Sequence, residues 1–157
     1  MQRTRIALLL GLAIATVLPA SAQDQDRVKR DLAQLQGEWS MVSGSADGSP
    51  VPDSMLAEAK RVCKGDETTV MIGQQLIMKA KFTLDPSKQP KAIDYQVIDG
   101  ATKGQTHLGI YELNGDSVKF CFGAPGAPRP TDFASKPGDQ RTSTVWKRQK
   151  PAEPGQK

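Results

Sequence analysis

Apolar and polar residues alternate along most of the chain from about residue 38 onward. In the clearest segment, 76–84, every second residue is apolar, while Lys79, Lys81 and Thr83 lie between them. A period of two is the pattern of a β-strand that buries one face. The same criterion predicts eight strands in all, at residues 38–43, 61–64, 68–72, 76–84, 93–97, 106–113, 118–122 and 141–148.

Most of the predicted strands are joined by short turns. Asn114-Gly115 is the strongest of these hairpin signals, because both residues tolerate a positive φ. Parallel neighbours need a connection of about a dozen residues or more, usually a helix, and no such helix is predicted here. The fold class is therefore all-β, an antiparallel up-and-down meander. It closes as a barrel or stacks as a sandwich, and we prefer the barrel because closure removes the two exposed edges.

Two short helices accompany the predicted barrel. Val28, Leu32 and Leu35 have helical spacing, which predicts a lead-in helix over 23–34 ahead of the barrel domain at 35–148. A second helix is expected between strands one and two, over 54–60, with Asp53 as its cap. The polar segment 149–157 is expected to be a disordered tail.

One face of each strand is expected to point into the barrel. An eight-stranded barrel is either filled by its side chains or holds one small ligand, and the sequence leaves both alternatives open. The residues expected inside are Trp39, Met41, Leu76, Met78, Phe82, Ile93, Tyr95, Val97, Leu108, Ile110, Val118, Phe120 and Phe122. If a ligand binds there, the candidate lumenal contacts are Trp39, Met78, Phe82, Tyr95, Ile110 and Phe120.

The segment 123–141 departs from the pattern of tight turns. It contains four prolines and is longer than loops without structure usually are, which is typical of a functional or a disordered segment. Arg129, Asp132 and Phe133 are its candidate residues. We expect an arginine–carboxylate contact that holds the loop, rather than substrate recognition, with Phe133 as an apolar anchor.

The first 22 residues have the features of a secretory signal peptide. Arg3 and Arg5 precede an apolar run of about 13 residues, and the small residues ending at Ala22 form a cleavage site. That run is too short to span a bilayer, so we expect an exported protein, periplasmic or extracellular, that is not an integral membrane protein once processed. Cleavage of this segment would remove two arginines and no acidic residue, which lowers the formal net charge from +4 to +2. The remaining basic residues are scattered and indicate no nucleic-acid partner.

Catalytic chemistry finds little support among the residues. His107 is the one histidine, and the motifs of zinc proteases, serine hydrolases and nucleotide-binding proteins are missing from the sequence. Alternation predicts that His107 faces outward. We therefore expect no enzyme, no metal and no cofactor, with a Cys–His hydrolase as the alternative.

The two cysteines, Cys63 and Cys121, admit three interpretations: a disulfide, two buried thiols or a nucleophile. An exported chain permits a disulfide. If Val62 points inward, both thiols face outward, but in a closed meander their strands are not neighbours, and Cα atoms more than about 7 Å apart cannot be bridged.

The segment Leu35 to Trp39 opens the first strand and contains Gly37-Glu38-Trp39. It resembles the Gly-x-Trp signature of lipocalin-like barrels. In those proteins the Trp plugs one end of the barrel, and an Arg of the last strand lies over it. The resemblance implies that Arg148 takes this position over Trp39.

A wider set of runs is found in order along the chain: GEW at 37–39, FTLDP at 82–86, PKAID at 90–94, LGIYEL at 108–113, VKFCF at 118–122, RPTDF at 129–133 and ASKPG at 134–138. Over about 35–148 the chain is similar to a bacterial secreted family, the planctomycetes uncharacterised domain. The resemblance implies a calycin-like barrel and export, with no established activity. Cys121 matches that family's pattern, whereas Cys63 stands where we associate an apolar residue, which argues against a family-wide disulfide.

These observations predict a non-enzymatic exported barrel that binds a small apolar ligand in its lumen or a cell-envelope partner through its loops. The alternative from a different class is a structural or interaction domain with a filled core and no ligand.

Overall fold

The computed structural model describes residues 20–150. The predicted leader therefore lies outside the described residues except for 20–22, as does the predicted tail beyond residue 150. The elements in chain order are α1 (Ala20–Leu35), β1 (Gly37–Ala46), β2 (Ser49–Pro50), α2 (Asp53–Glu58), β3 (Ala59–Lys64), β4 (Glu67–Ile72), β5 (Gln75–Asp85), β6 (Lys91–Gly100), β7 (Thr106–Asn114), β8 (Ser117–Phe122) and β9 (Thr142–Arg148).

The sheet closes on itself. Each strand from β3 to β8 pairs antiparallel with the next, and β1 pairs with both β3 and β9. The predicted fold class, an eight-stranded antiparallel barrel with two short helices, is confirmed.

A ninth strand, β2, was not predicted. It pairs with β1 through the tight turn Asp47-Gly48, in which both residues have positive φ. A Cβ on Gly48 would lie 2.3 Å from the backbone nitrogen of Pro137, so only glycine allows this turn to approach the long loop before β9.

The second helix begins and ends earlier than the sequence indicates. Asp53 is its first residue rather than its cap, and Pro52 occupies the cap position without a side-chain hydrogen bond. Ala59 and Lys60 belong to β3 instead, where Ala59 pairs with Ile72 and is buried in the core. Strand pairing and burial thus override the local helical pattern.

One end of the barrel is closed by α1 and Trp39. The Trp39 indole Nε1–H donates to the Leu35 carbonyl at 3.0 Å, and both side chains are buried. The Arg148 guanidinium carbon lies 4.3 Å from the Trp39 ring centroid, and its Nη1 donates to the Gln36 carbonyl at 2.6 Å. The same end receives Gln149, assigned to the tail by sequence, whose backbone N–H donates to Glu38 on β1.

A buried carboxylate ties α1 to this closed end. Asp31 accepts hydrogen bonds from the Tyr111 hydroxyl at 2.7 Å and from Lys91 Nζ at 2.8 Å. Burial, followed by the bond to Asp31, raises the pKa of Tyr111 far above its ordinary value. The tyrosine therefore remains a hydrogen-bond donor at any ordinary pH.

The inward face of β7 is the opposite of the predicted one. Tyr111 belongs to the core cluster, whereas Ile110 is buried on the outer face, paired with Cys121 beneath the long loop. The predictions that Leu108 and Ile110 point inward and His107 outward are wrong. Both faces of β7 are covered, so the alternation of apolar residues carries no information about which face is the lumen.

Two further inward assignments need correction. In β3, Ala59, Arg61 and Cys63 are buried while Val62 is 42% exposed, so Cys63 faces inward and not outward. At the start of β5, a bulge between Val70 and Met71 of β4 shifts the register. Ile77, which is 37% exposed, rather than Leu76, therefore lines the open end of the barrel.

Candidate functional site: the barrel lumen

The end of the barrel opposite α1 contains a cavity of about 440 Å³. Its mouth lies among the β4–β5 turn, the β6–β7 turn and the two ends of the long loop that precedes β9. Ligand sites in proteins generally have volumes of about 300–1,000 Å³. The lining side chains are mostly apolar and include Met41, Val70, Ile72, Ile77, Met78, Tyr95, Phe122, Pro125 and Trp146.

Two aromatic rings form part of the cavity wall. Tyr95 of β6 and Phe122 of β8 have ring centroids 4.1 Å apart. Phe122 lies against Gly109 of β7, where a Cβ would come within 2.4 Å of the Phe122 ring. The missing side chain at Gly109 therefore gives the Phe122 ring its place beside Tyr95.

A buried arginine, Arg61 of β3, also lines the cavity. Its side chain is only 4% exposed, and its Nη1 donates to the Tyr95 hydroxyl at 2.6 Å and to Thr68 Oγ1 at 3.1 Å. Its guanidinium carbon lies 4.6 Å from the ring centroids of both Phe120 and Trp146. Strand β3 places Arg61 next to Trp39 of β1, at the inner end of the cavity.

No acidic residue in the part of the chain that the structure describes forms a salt bridge with Arg61. Its Nε is buried and has no hydrogen-bond partner among the described residues. Taking a guanidinium out of water costs several kcal/mol even after relaxation, and each desolvated cation–π contact contributes about 2 kcal/mol. The contacts of Arg61 stabilise the group, but they come from neutral side chains and leave its charge uncompensated.

Tyr95 keeps its proton beside this cation. Burial raises the pKa of Tyr95 to about 12, although the Arg61 charge acts in the opposite direction. The hydroxyl oxygen accepts the bond from Arg61, so its own proton remains available to a further acceptor. Neutral Tyr95 therefore does not neutralise Arg61.

His107 lies at the mouth of the cavity rather than on the outside of the barrel. Its Nδ1 is 3.3 Å from the Gly123 carbonyl, and its Nε2 is 3.1 Å from Thr102 Oγ1. These contacts bridge the β6–β7 turn and the start of the long loop. Neither cysteine is a hydrogen-bond partner of His107 within residues 20–150.

The six lumenal residues proposed from sequence lie in three places. Met78 and Tyr95 line the cavity. Trp39, Phe82 and Phe120 are buried in the packed part of the core, and Ile110 lies outside the barrel wall. Arg61 was missed, although its alternation with Ala59 and Cys63 is the signal that could have found it.

The long loop is held against the outside of the barrel. Arg129 Nη1 donates to Asp94 Oδ1 at 2.6 Å and to the carbonyls of Gly109 and Ile93. Arg129 thus forms an arginine–carboxylate contact, but with β6 rather than with Asp132.

Asp132 and Phe133 also make contacts that hold the loop, Asp132 through its side chain and Phe133 through its carbonyl. Asp132 is exposed, accepts from the Ala134 backbone N–H and lies 3.3 Å from Arg141 Nη1. Phe133 is half-buried, and its carbonyl accepts from the Ser143 hydroxyl. The fully buried apolar residue of the loop is Pro130.

Both cysteines are buried free thiols. Cys63 lies inside the barrel, 3.5 Å from Thr68 Oγ1, and Cys121 lies on the outer face, 3.9 Å from the Ala134 carbonyl. The barrel wall separates them, so the disulfide that the sequence left open does not form. Burial raises the pKa of the Cys121 thiol to about 11, which keeps it protonated near neutral pH.

Comparisons of the chain with protein-family models, with curated proteins and with solved structures find no match.

Within residues 20–150, no three side chains among His, Cys, Asp and Glu are grouped so that they could hold a metal ion. The helices of this part of the chain also fall short of the length and apolar character needed to cross a membrane.

Proposed function

We propose that this protein is an exported, lipocalin-like barrel that binds a small apolar molecule in its lumen and has no catalytic role. The observation that carries the proposal is the cavity of about 440 Å³, whose lining is mainly aliphatic and aromatic. A barrel evolved only as a packed structural unit would bury these side chains against one another, because protein interiors rarely leave voids of this size. The sequence resemblance to the planctomycetes domain family agrees with export and with a calycin-like barrel.

The binding part of the proposal is tested with N-phenylnaphthylamine, a neutral apolar dye that fluoresces when it leaves water. We expect saturable binding to the wild-type protein. Val70→Trp, which projects a large ring into the cavity, is expected to weaken binding at least about tenfold. Val62→Trp is the matched control, since the same change on the outer face of β3 should leave affinity unchanged.

Two results would overturn lumenal binding. One is the absence of saturable dye binding to a folded wild-type protein. The other is an equal loss of affinity in both valine variants. Either result favours the alternative of a structural or interaction domain, for which the filled half of the core around Trp39, Phe82 and Phe120 is the supporting observation.

The export part is tested separately. The full chain is expressed in a Gram-negative bacterium, the cells are fractionated, and the intact mass is measured. We expect periplasmic or secreted protein that starts at Gln23, and we expect Ala22→Arg to block that cleavage. A full-length chain retained in the cytoplasm would contradict export without affecting the binding proposal.

A further inference from the structure

We infer that the lumenal ligand carries an oxyanion head, which binds to Arg61 at the inner end of the cavity. This inference rests on the proposed function and specifies the class of ligand: a small apolar molecule with one carboxylate or phosphate group. Among the described residues that line the cavity, Arg61 is the only one whose side chain is always charged. It is 4% exposed and therefore built into the site rather than a surface charge.

The hydrogen bonds of Arg61 leave one nitrogen of its guanidinium available. Both bonds to described residues, to Tyr95 and Thr68, are donated by Nη1. Nε has no partner among the described residues but is fully enclosed by protein, whereas Nη2 donates to none of them and is not enclosed. Nη2 can therefore donate a charge-assisted hydrogen bond to one oxygen of a carboxylate or phosphate.

The side chains around Arg61 also favour an anionic ligand. The ring centroids of Phe120 and Trp146 each lie 4.6 Å from the guanidinium carbon, and no carboxylate of the described residues forms a salt bridge with it. Electrostatic attraction is stronger in such a desolvated setting than in water. The protonated hydroxyl of Tyr95 adds a donor beside the same position.

The cavity also orients the ligand. Arg61 lies at the inner end, whereas Ile72, Ile77 and Pro125 lie at the mouth. An anionic head at Arg61 therefore places the apolar tail along Met41 and Met78 toward the mouth.

The test compares three molecules with the same tail: octanoate, octyl phosphate and octanol. Binding is measured by isothermal titration calorimetry at neutral pH. We expect at least one of the two anions to bind the wild-type protein about tenfold or more tightly than octanol, as a charge-assisted hydrogen bond would give. The better anion identifies the head group.

Arg61→Met is expected to remove the preference for the anions over octanol. Arg30→Met, the same substitution on the exposed part of α1, is expected to keep the preference. If Arg61→Met does not fold, Arg61→Gln takes its place. A measurement on the wild type alone gives a second readout: the carboxyl pKa of ¹³C-labelled octanoate, followed by NMR, should be lower when bound than when free.

The outcomes separate the two proposals. If both anions bind no more tightly than octanol, or if the preference survives in the Arg61 variants, the oxyanion inference is overturned while lumenal binding stands. The same holds if the neutral dye binds and none of the octyl compounds does. If neither the dye nor any octyl compound binds, both proposals fail. A bound octanoate pKa equal to or above that of the free acid also contradicts the inference.

Discussion

Asp31 illustrates how one buried carboxylate fixes a helix to the barrel. It faces two donors from neighbouring strands, the Tyr111 hydroxyl and Lys91 Nζ, and its side chain is only 9% exposed. Tyr111 is itself buried in the core, so its hydroxyl has no access to water as a substitute acceptor. The bond is therefore expected to contribute more than a surface ion pair does.

Asp31→Ala is expected to lower the free energy of unfolding by about 2 kcal/mol, because it leaves the buried Tyr111 hydroxyl without its acceptor. Urea denaturation provides the measurement. Asp26→Ala is the control, since Asp26 is exposed on the same helix and its loss should cost less than about 0.5 kcal/mol. Equal effects of the two substitutions would show that Asp31 does not hold α1.

Cys121 makes the stability of the fold depend on alkaline pH. Burial raises the pKa of its thiol from 9.0 to about 11 in the folded protein, so between these values the unfolded chain loses a proton that the folded chain keeps. Stability must then fall as pH rises from about 9 to 11, by up to about 2–3 kcal/mol from this group.

We expect Cys121→Ala to lose less stability than the wild type between pH 9 and pH 11, because alanine has no proton to release. The measurement is urea denaturation at several pH values. The cost of the smaller side chain is the same at each pH and does not alter the slope. Parallel curves for the two proteins would contradict a buried, protonated thiol.

At the scale of the elements, the long loop behaves as a cover for the outer face of β7 and β8. Ile110 and Cys121 are as well buried there as core residues, and Pro130 is fully buried in the loop itself. Arg129 holds the loop through Asp94 and two backbone carbonyls.

Arg129→Ala should loosen the loop and increase the reaction rate of Cys121 with a thiol reagent such as DTNB by about tenfold or more. Cys63→Ala as the common background ensures that only Cys121 reacts. The control is Lys136→Ala, an exposed side chain of the same loop, which should leave the rate unchanged. An unaltered rate in Arg129→Ala would mean that other contacts hold the cover.

The elements also show what the sequence can and cannot predict. One face of strand β5 is exposed to solvent, so the alternation of its residues correctly places Ala80 and Phe82 inside. Strand β7 is covered on both faces, and alternation then cannot distinguish Ile110 outside from Tyr111 inside. The outer face of β7 is covered by the loop before β9, and alternation within β7 cannot reveal a contact so distant in sequence.

At the scale of the whole molecule, eight strands, their antiparallel order and the closure are predictable from turn spacing and from the cost of open sheet edges. The cavity and its buried arginine are less predictable from the sequence. An arginine within a strand is expected to face solvent. Alternation with Ala59 and Cys63 could have placed Arg61 on the inward face, but the rings of β6, β8 and β9 that surround it are visible only in the closed barrel.

The closed barrel divides into a packed half and a hollow half. α1, Trp39 and Arg148 close one end, while the cavity occupies the other. Because the cavity occupies one end of the barrel, a small ligand inside it must contact a defined subset of side chains. Methionine methyl groups report this directly, since Met41 and Met78 line the cavity and Met55 is exposed on α2.

The most direct measurement is therefore a two-dimensional NMR titration of protein labelled with ¹³C at its methionine methyl groups, with N-phenylnaphthylamine as the ligand. Lumenal binding predicts saturable shifts of the Met41 and Met78 signals and an unchanged Met55 signal. Shifts of Met55 with Met41 and Met78 unmoved, or no shifts at saturating dye, would contradict it.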